Sequence, residues 1–175
     1  MNSLAFETAF DRVIGSEGGF QAKASDRGNW TSGVVGQGEL KGTNFGLSAM
    51  TYPLLDIKNL TVEQAKGIYY QDWWVKLGMD LFKPALGYQM FDAAINHGIQ
   101  NATKMLQRAA NSKDDGALGP LSLTAINNTP LDDLLMGFLA ERLNFMTNIS
   151  TWGDYGRGWA KRIAANLKLA AEDTP

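Results

Sequence analysis

Carboxylates set around turns are the groups in this sequence whose types and spacing suit acid–base chemistry. Glu17 stands in Ser16-Glu17-Gly18-Gly19-Phe20, after a run in which Phe6, Phe10, Val13 and Ile14 recur at helical spacing. The glycine pair ends such a helix, because glycine enters left-handed conformations without steric cost. Glu17 is thereby expected at the negative end of the helix dipole and beside Phe20. Both neighbours disfavour its ionised form, as a general acid requires. Asp26 follows after eight residues, in the polar loop Gln21–Gly28. Two carboxyl groups flanking a turn can line opposite walls of a cleft. Glycoside hydrolysis uses that pair: one protonated for the leaving oxygen, one for water or for oxocarbenium charge. Thr43 supplies a hydroxyl that could help hold the water. Each residue also has a plain structural role open to it. Glu17 could be an ordinary helix residue, Asp26 could pair with Arg27 or cap a turn, and Thr43 could hydrogen-bond its own loop.

Other chemistries find little support. With one histidine and no cysteine, only carboxylates remain as metal ligands, and no calcium-loop spacing is present. No metal or other cofactor is therefore expected. No Gly-x-Ser-x-Gly elbow accompanies His97, which reads as a hydrogen-bonding residue at a helix end. Gly33-Val34-Val35-Gly36-Gln37-Gly38 lacks the lysine and following helix of a phosphate loop. Sugar rings stack on aromatic side chains, and their N-acetyl groups need polar partners. Trp30, Tyr69, Trp73 and Trp74 are the candidate platforms, with Phe20 as a further ring and Asn96 as the polar contact. Trp73 and Trp74 point to different sides of a helix, so at least one of them is expected in the core.

The elements that must position these groups follow from periodicity and punctuation. The chain has 175 residues and a net charge of −2 with interspersed signs. That length suits one domain with a real core, and the charge gives no basic face for nucleic acid. The N-terminus shows no signal segment, and no apolar run reaches the ~20 residues of a membrane span. A first helix is expected over residues 3–16. Glycines at 33, 36, 38, 42 and 46 punctuate β-prone pieces at Trp30-Thr31, Val34-Val35 and Phe45-Gly46-Leu47. Thr61-Val62-Glu63-Gln64 is a capping box, opening a helix that ends near Trp73-Trp74-Val75. Further helices are expected from Pro84 to His97 and over residues 101–110, with a brief one through Thr124-Ala125-Ile126. The longest is expected to open at Thr129-Pro130, with Leu131, Leu134, Leu135, Phe138, Leu139, Phe145, Met146 and Ile149 as its buried stripe. Trp152 to Gly158 reads as an aromatic turn before a last helix bearing Trp159, Ile163 and Leu167. Arg157, Lys161, Arg162 and Lys168 on that helix suit a solvated face better than a lipid surface. The expected class is α+β, mainly α, with a small β element near residues 29–47.

Several motifs in order carry a resemblance over nearly the whole chain. Glu17-Gly18-Gly19-Phe20, Asp26-Arg27-Gly28-Asn29-Trp30-Thr31 and Gly38-Glu39-Leu40-Lys41-Gly42-Thr43-Asn44-Phe45-Gly46-Leu47 are followed by Asp56-Ile57-Lys58-Asn59-Leu60-Thr61 and Ile68-Tyr69-Tyr70-Gln71-Asp72-Trp73-Trp74. Together they resemble glycoside hydrolase family 108, the phage and prophage N-acetylmuramidases, in its endolysin branch. Phe91-Asp92-Ala93-Ala94-Ile95-Asn96-His97-Gly98, Leu106-Gln107-Arg108-Ala109 and Asp115-Gly116-Ala117-Leu118-Gly119-Pro120 are similar to that family's predicted peptidoglycan-binding region. The resemblance implies a lysozyme-like, two-lobed single domain over residues 1–175, with a catalytic-region lobe at 1–83 and a helical lobe at 84–175. It implies cleavage of the β-1,4 bond between N-acetylmuramic acid and N-acetylglucosamine, with Glu17 as the catalytic glutamate. Related phage lysozymes add an aspartate and then a threonine. Asp26 keeps that spacing; Thr43, displaced by the glycine-rich segment, does not. Phe20 stands where many members carry tyrosine.

The implied partner is the peptidoglycan glycan strand, met by a monomer without stable membrane insertion. The chain would be made in a bacterial host cytoplasm without a signal peptide. It would reach the periplasm through a holin-type pore protein and lyse the host. Two rivals use the same residues differently. A lytic transglycosylase would close a 1,6-anhydro ring without water, and a non-catalytic wall-binding phage protein would release no reducing ends.

Overall fold

The computed structural model describes residues 3–14 and 19–174. The chain divides into two compact units, residues 1–72 and 73–175. It is mainly α-helical with one two-stranded antiparallel sheet among the described residues.

The first unit is built on two helices. In α1 (Leu4–Val13) the Ser3 hydroxyl caps the start by accepting from the Phe6 N–H, and Phe6, Ala9, Phe10 and Val13 turn inward. In α2 (Val62–Tyr69) the capping box forms as the sequence predicts. The Gln64 N–H donates to the Thr61 hydroxyl at 3.2 Å, and Gln64 Oε1 accepts from the Thr61 N–H at 2.9 Å. Edge-to-face rings join α1 to the end of α2 and the residue after it, Phe10 to Tyr69 at 5.8 Å and Phe6 to Tyr70 at 5.0 Å. The Lys66 ammonium pairs with Glu7 beside them.

Between these helices the chain is mostly irregular. Strands β1 (Thr43–Asn44) and β2 (Leu47–Ser48) pair Thr43 with Ser48 and Asn44 with Leu47. The sequence places Phe45 and Gly46 in a strand; they form the hairpin turn instead, at φ 48° and 76°. Positive φ at both central residues is the backbone that matches strand twist in a two-residue hairpin. Phenylalanine does not advertise it. Val34 and Val35, also expected as strand, lie exposed in a loop. Trp30 is extended, but it contributes a single bridge to Leu40.

The second unit is helical. Past a π-helical turn (Tyr70–Val75) and a 3-10 turn (Met79–Leu81) come α3 (Pro84–His97), α4 (Ile99–Ala109), α5 (Pro120–Asn128), α6 (Leu131–Thr147) and α7 (Trp152–Asp173). Every residue of α3 from Ala85 to Ala94 is buried, with α4, α6 and α7 packed around it. Its Phe91 ring meets Trp74 edge-on at 5.6 Å. Two expectations need correction here. The aromatic turn at residues 152–158 is the start of α7, and α7, at 22 residues, exceeds α6 at 17. Trp152, Tyr155 and Trp159 recur on one helical face with rings 5.9–6.0 Å apart. Gly156 makes room for the Trp152 ring, so packing overrides glycine's poor helix propensity. Among the described residues, no helix is long and apolar enough to cross a membrane.

Candidate active site

Thr43 is placed by backbone pairing on both sides. Besides its β2 partner it exchanges two backbone hydrogen bonds with Gln21, at 2.9 and 2.8 Å. That bridge folds the polar loop after α1 back against the hairpin. Asn29 ends a short 3-10 turn (Arg27–Asn29) beneath it, fully buried. Its carbonyl accepts from both Lys41 and Gly42 N–H groups at 3.0 Å, closing the glycine-rich excursion between residues 30 and 40.

Four side chains meet where these segments converge. Thr43 Oγ1 donates to Asn29 Oδ1 at 2.7 Å. Asn29 Nδ2 donates to Gln21 Oε1 at 2.8 Å and to the Lys23 carbonyl at 3.0 Å. Gln21 Nε2 reaches Asn29 Oδ1 at 3.1 Å and Asp26 Oδ2 at 3.3 Å. The other Asp26 oxygen accepts from the Gly28 N–H at 2.9 Å and so caps the 3-10 turn. Asp26 and Thr43, both candidates from the sequence, thus belong to one hydrogen-bonded chain. The links between them, Gln21 and Asn29, are absent from the sequence reading. Asn29 lies inside the quoted Asp26–Thr31 motif, but nothing in a lone asparagine reports burial. Glu17 lies outside the described residues.

Phe20 borders this cluster. Its ring lies on the backbone of Gly42, where an added Cβ would stand 2.7 Å from Phe20 Cε2 and 2.5 Å from the Gln21 carbonyl oxygen. Gly42 also sits at φ 87°, so both space and conformation call for glycine there. The ring is 41% exposed and forms one wall of a cleft of about 420 Å³. Leu40, Leu54, Leu55 and Ile57 supply the remaining apolar surface, with Lys41, Asp56 and Lys58 among the lining groups. Lys41 Nζ donates to the Pro53 carbonyl at 2.8 Å, tying together two of the segments that line it.

The other candidates have different settings. Trp30 is half-buried and its indole N–H donates to the Ala24 carbonyl at 2.9 Å. Tyr69 is 2% exposed and donates to the Phe45 carbonyl at 3.0 Å. Burial, then the neighbouring Tyr52, push its phenol well above the usual range. That places Tyr69 in the core under the hairpin turn. Trp73 and Asn96 belong to the second unit. Trp73 is half-buried and Trp74 wholly buried, its indole N–H on Asp80 Oδ1 at 2.8 Å. Asn96 is exposed, and its amide returns to the Asp92 carbonyl one helical turn back at 2.6 Å. His97 lies edge-on to Phe145, at 5.4 Å between rings. Burial and the charge of Arg142 pull its pKa down to about 4. Among the described residues, no three His, Asp or Glu side chains converge as a metal site requires.

A mainly helical fold with a small hairpin, and a carboxylate–hydroxyl cluster beside an aromatic-walled cleft, suit a carbohydrate-active hydrolase. The model of glycosyl hydrolase family 108 matches residues 10–98, just over half of the chain. The chain belongs to that family and is a glycoside hydrolase. The matched segment includes Asp26, Thr43, Phe20 and the linking amides. The solved structure titled "Structure of Brucella abortus SagA" superposes with a TM-score of 0.80 at 25% identity, over 97% of this chain and 95% of that one. A comparison with curated proteins found no match.

Proposed function

We propose that this glycoside hydrolase acts on peptidoglycan, cleaving the β-1,4 bond between N-acetylmuramic acid and N-acetylglucosamine. Glu17 is the general acid that protonates the leaving oxygen. Asp26 receives the proton of the attacking water or balances positive charge at the anomeric carbon. The observation that supports this assignment is the Asp26–Gln21–Asn29–Thr43 chain, which sets a carboxylate and a hydroxyl in one cluster within the family-matched segment. Phe20 and the adjoining apolar cleft are the surface for a pyranose ring, since the apolar face of a sugar stacks on an aromatic. Trp30 in the first unit, and Trp73 and Asn96 in the second, remain candidate sugar contacts. The biological reading is an endolysin that lyses a bacterial host as a monomer, with a pore-forming membrane protein as its partner in reaching the periplasmic wall.

Glu17→Gln tests this reading. The variant keeps size and polarity but cannot give up a proton, and its turbidity-clearing rate on purified walls is expected to fall by about three orders of magnitude. A folded variant that clears walls at the parent rate overturns the assignment. Mass spectrometry of the muropeptides distinguishes hydrolysis, which adds water to each product, from formation of 1,6-anhydro ends.

A further inference from the structure

Both amides of the cluster can be oriented in one way only, and a single residue orients them. The Lys23 carbonyl oxygen, 3.0 Å from the Asn29 side chain, can only accept. The atom facing it is therefore the amide nitrogen, and Asn29 Oδ1 is left facing Thr43 and Gln21. The Lys23 N–H, 3.1 Å from the Gln21 side chain, can only donate, so the atom it meets is Gln21 Oε1. Gln21 Nε2 is left facing Asn29 Oδ1 and Asp26. Thr43 must then spend its one hydroxyl proton on Asn29, at 2.7 Å. A reversed Asn29 would leave its amide nitrogen against the Gln21 nitrogen and its oxygen against the Lys23 carbonyl. In a wholly buried side chain, such unpaired groups are costly.

We infer that Asn29, with Gln21, is a positioning residue that makes Thr43 an obligate acceptor for the attacking water of the reaction under Proposed function, on which this inference rests. With its proton committed, Thr43 Oγ1 offers only lone pairs, and the Asp26 carboxylate likewise only accepts. A water between them gives one hydrogen to each and turns its own lone pair away from both. In the step so arranged, the water oxygen bonds to the anomeric carbon and its proton passes to Asp26. The glycosidic C–O bond breaks, and the leaving oxygen takes the proton of Glu17. Asn29 touches neither the water's proton acceptor nor the sugar, and of the reacting groups Gln21 meets only the Asp26 carboxylate, through Nε2 at 3.3 Å.

The test is a double-mutant cycle on soluble glycan fragments, reading kcat and KM separately. Thr43→Val removes the acceptor at nearly constant shape. Asn29→Asp puts an acceptor against the Lys23 carbonyl and releases the fixed polarity. Each is expected to lower kcat about tenfold or more with KM nearly unchanged, since only the transition state uses the held water. The double variant is expected to be no slower than the worse single one, and Thr43→Ser is expected to restore most of the rate. Multiplicative losses in the double variant, or a failure of Thr43→Ser to recover, overturn the inference. If Asn29→Asp does not fold, the cycle of Thr43→Val with Gln21→Met must show the same coupling, and its absence is equally decisive. Uncoupled losses while Glu17→Gln remains inactive remove this inference alone. A fully active Glu17→Gln removes the catalytic reading and this inference with it.

Discussion

Arg142 Nη2 lies 2.7 Å from Asp92 Oδ2, joining α6 to the buried helix α3 with both side chains almost fully withdrawn from water. Asp92 is the hub of a wider set. Arg162 from α7 donates to its other oxygen at 2.7 Å, and Asn166 donates at 2.8 Å. Tyr88 on α3 donates to the Asn166 side chain at 2.8 Å and closes the group. One carboxylate thus joins α3, α6 and α7.

Removing that carboxylate's charge is expected to be the most damaging polar change in the second unit. Asp92→Asn leaves Arg142 buried without an anion, and breaking a buried pair from one side costs about 3–5 kcal/mol. Changing both partners, as in Asp92→Leu with Arg142→Met, is expected to cost less than the sum of the single changes, because no unpaired charge remains. Arg142 Nε and Nη1 have no protein partner among the described residues, which reduces what the arginine itself contributes. Denaturant midpoints of Asp92→Asn, of Asp92→Leu and Arg142→Met singly, and of their double variant check the ordering.

His97 gives the stability a dependence on mild acid. Burial and Arg142, then Arg162, oppose its protonation against the milder pull of Asp92, and its folded pKa is about 4 against an ordinary 6.5. A pKa depressed by folding means that the unfolded chain takes up the proton first. The stabilisation is therefore complete above about pH 6.5 and is lost as pH falls through about 4. Discounted for the exposed part of the ring, the loss is about 1–2 kcal/mol. His97→Gln is expected to flatten the stability–pH curve over that interval. Asp92 acts at lower pH. Burial alone would raise its pKa, but Arg142 and Arg162 overcome burial and hold it below the usual carboxylate range. Its contribution is present above about pH 3.8 and is lost in stronger acid. Urea melts between pH 3 and 8 separate the two steps.

Two glycines with similar backbones separate conformation from space. Gly36 at φ 80° has nothing within 4 Å of an added Cβ, whereas the same atom at Gly42 would meet the Gln21 carbonyl at 2.5 Å. Gly36→Ala is expected to cost about 1–2 kcal/mol for the left-handed backbone alone. Gly42→Ala adds a clash and is expected to lose at least about 2 kcal/mol more, because the bridge that seats Phe20 and Gln21 must shift. A reduced kcat should accompany it, whereas Gly36→Ala keeps the parent rate. Thermal melts paired with a wall-clearing assay check both.

Local chemistry and long-range packing divide what a linear sequence displays. Wherever local chemistry dictates structure, the elements were legible. Thr61 caps α2, Pro84 opens α3, and the spacing of Phe6 and Phe10 marks the inner face of α1. Where long-range packing decides, they were not. Trp152, Tyr155 and Trp159 turn a glycine-rich stretch into helix because their rings meet on one face. Phe45 takes a left-handed turn position because Tyr69, 24 residues away, holds its carbonyl. The site divides the same way. Asp26 and Thr43 stood out by residue type, but Asn29 and Gln21 owe their importance to burial and to two backbone atoms of Lys23. A linear sequence does not display either.

Phe20 and Tyr69 were both candidate sugar contacts, and the structure gives them opposite consequences. Phe20 exposes 41% of its surface at the cleft, while Tyr69 exposes 2% and donates to the Phe45 carbonyl at 3.0 Å. Tyr69→Phe removes that hydrogen bond from beneath the hairpin and should cost about 1–2 kcal/mol of stability while leaving KM unchanged. Phe20→Ala deletes a wall that the folded chain leaves half in solvent, so its cost in stability should be the smaller. Its KM for glycan fragments should rise, by about three- to tenfold if a stacked ring contributes of order 1 kcal/mol. The crossed pattern, stability for one residue and KM for the other, is what assigns the cleft to substrate. A Tyr69→Phe variant with raised KM and parental stability would move the binding surface away from Phe20.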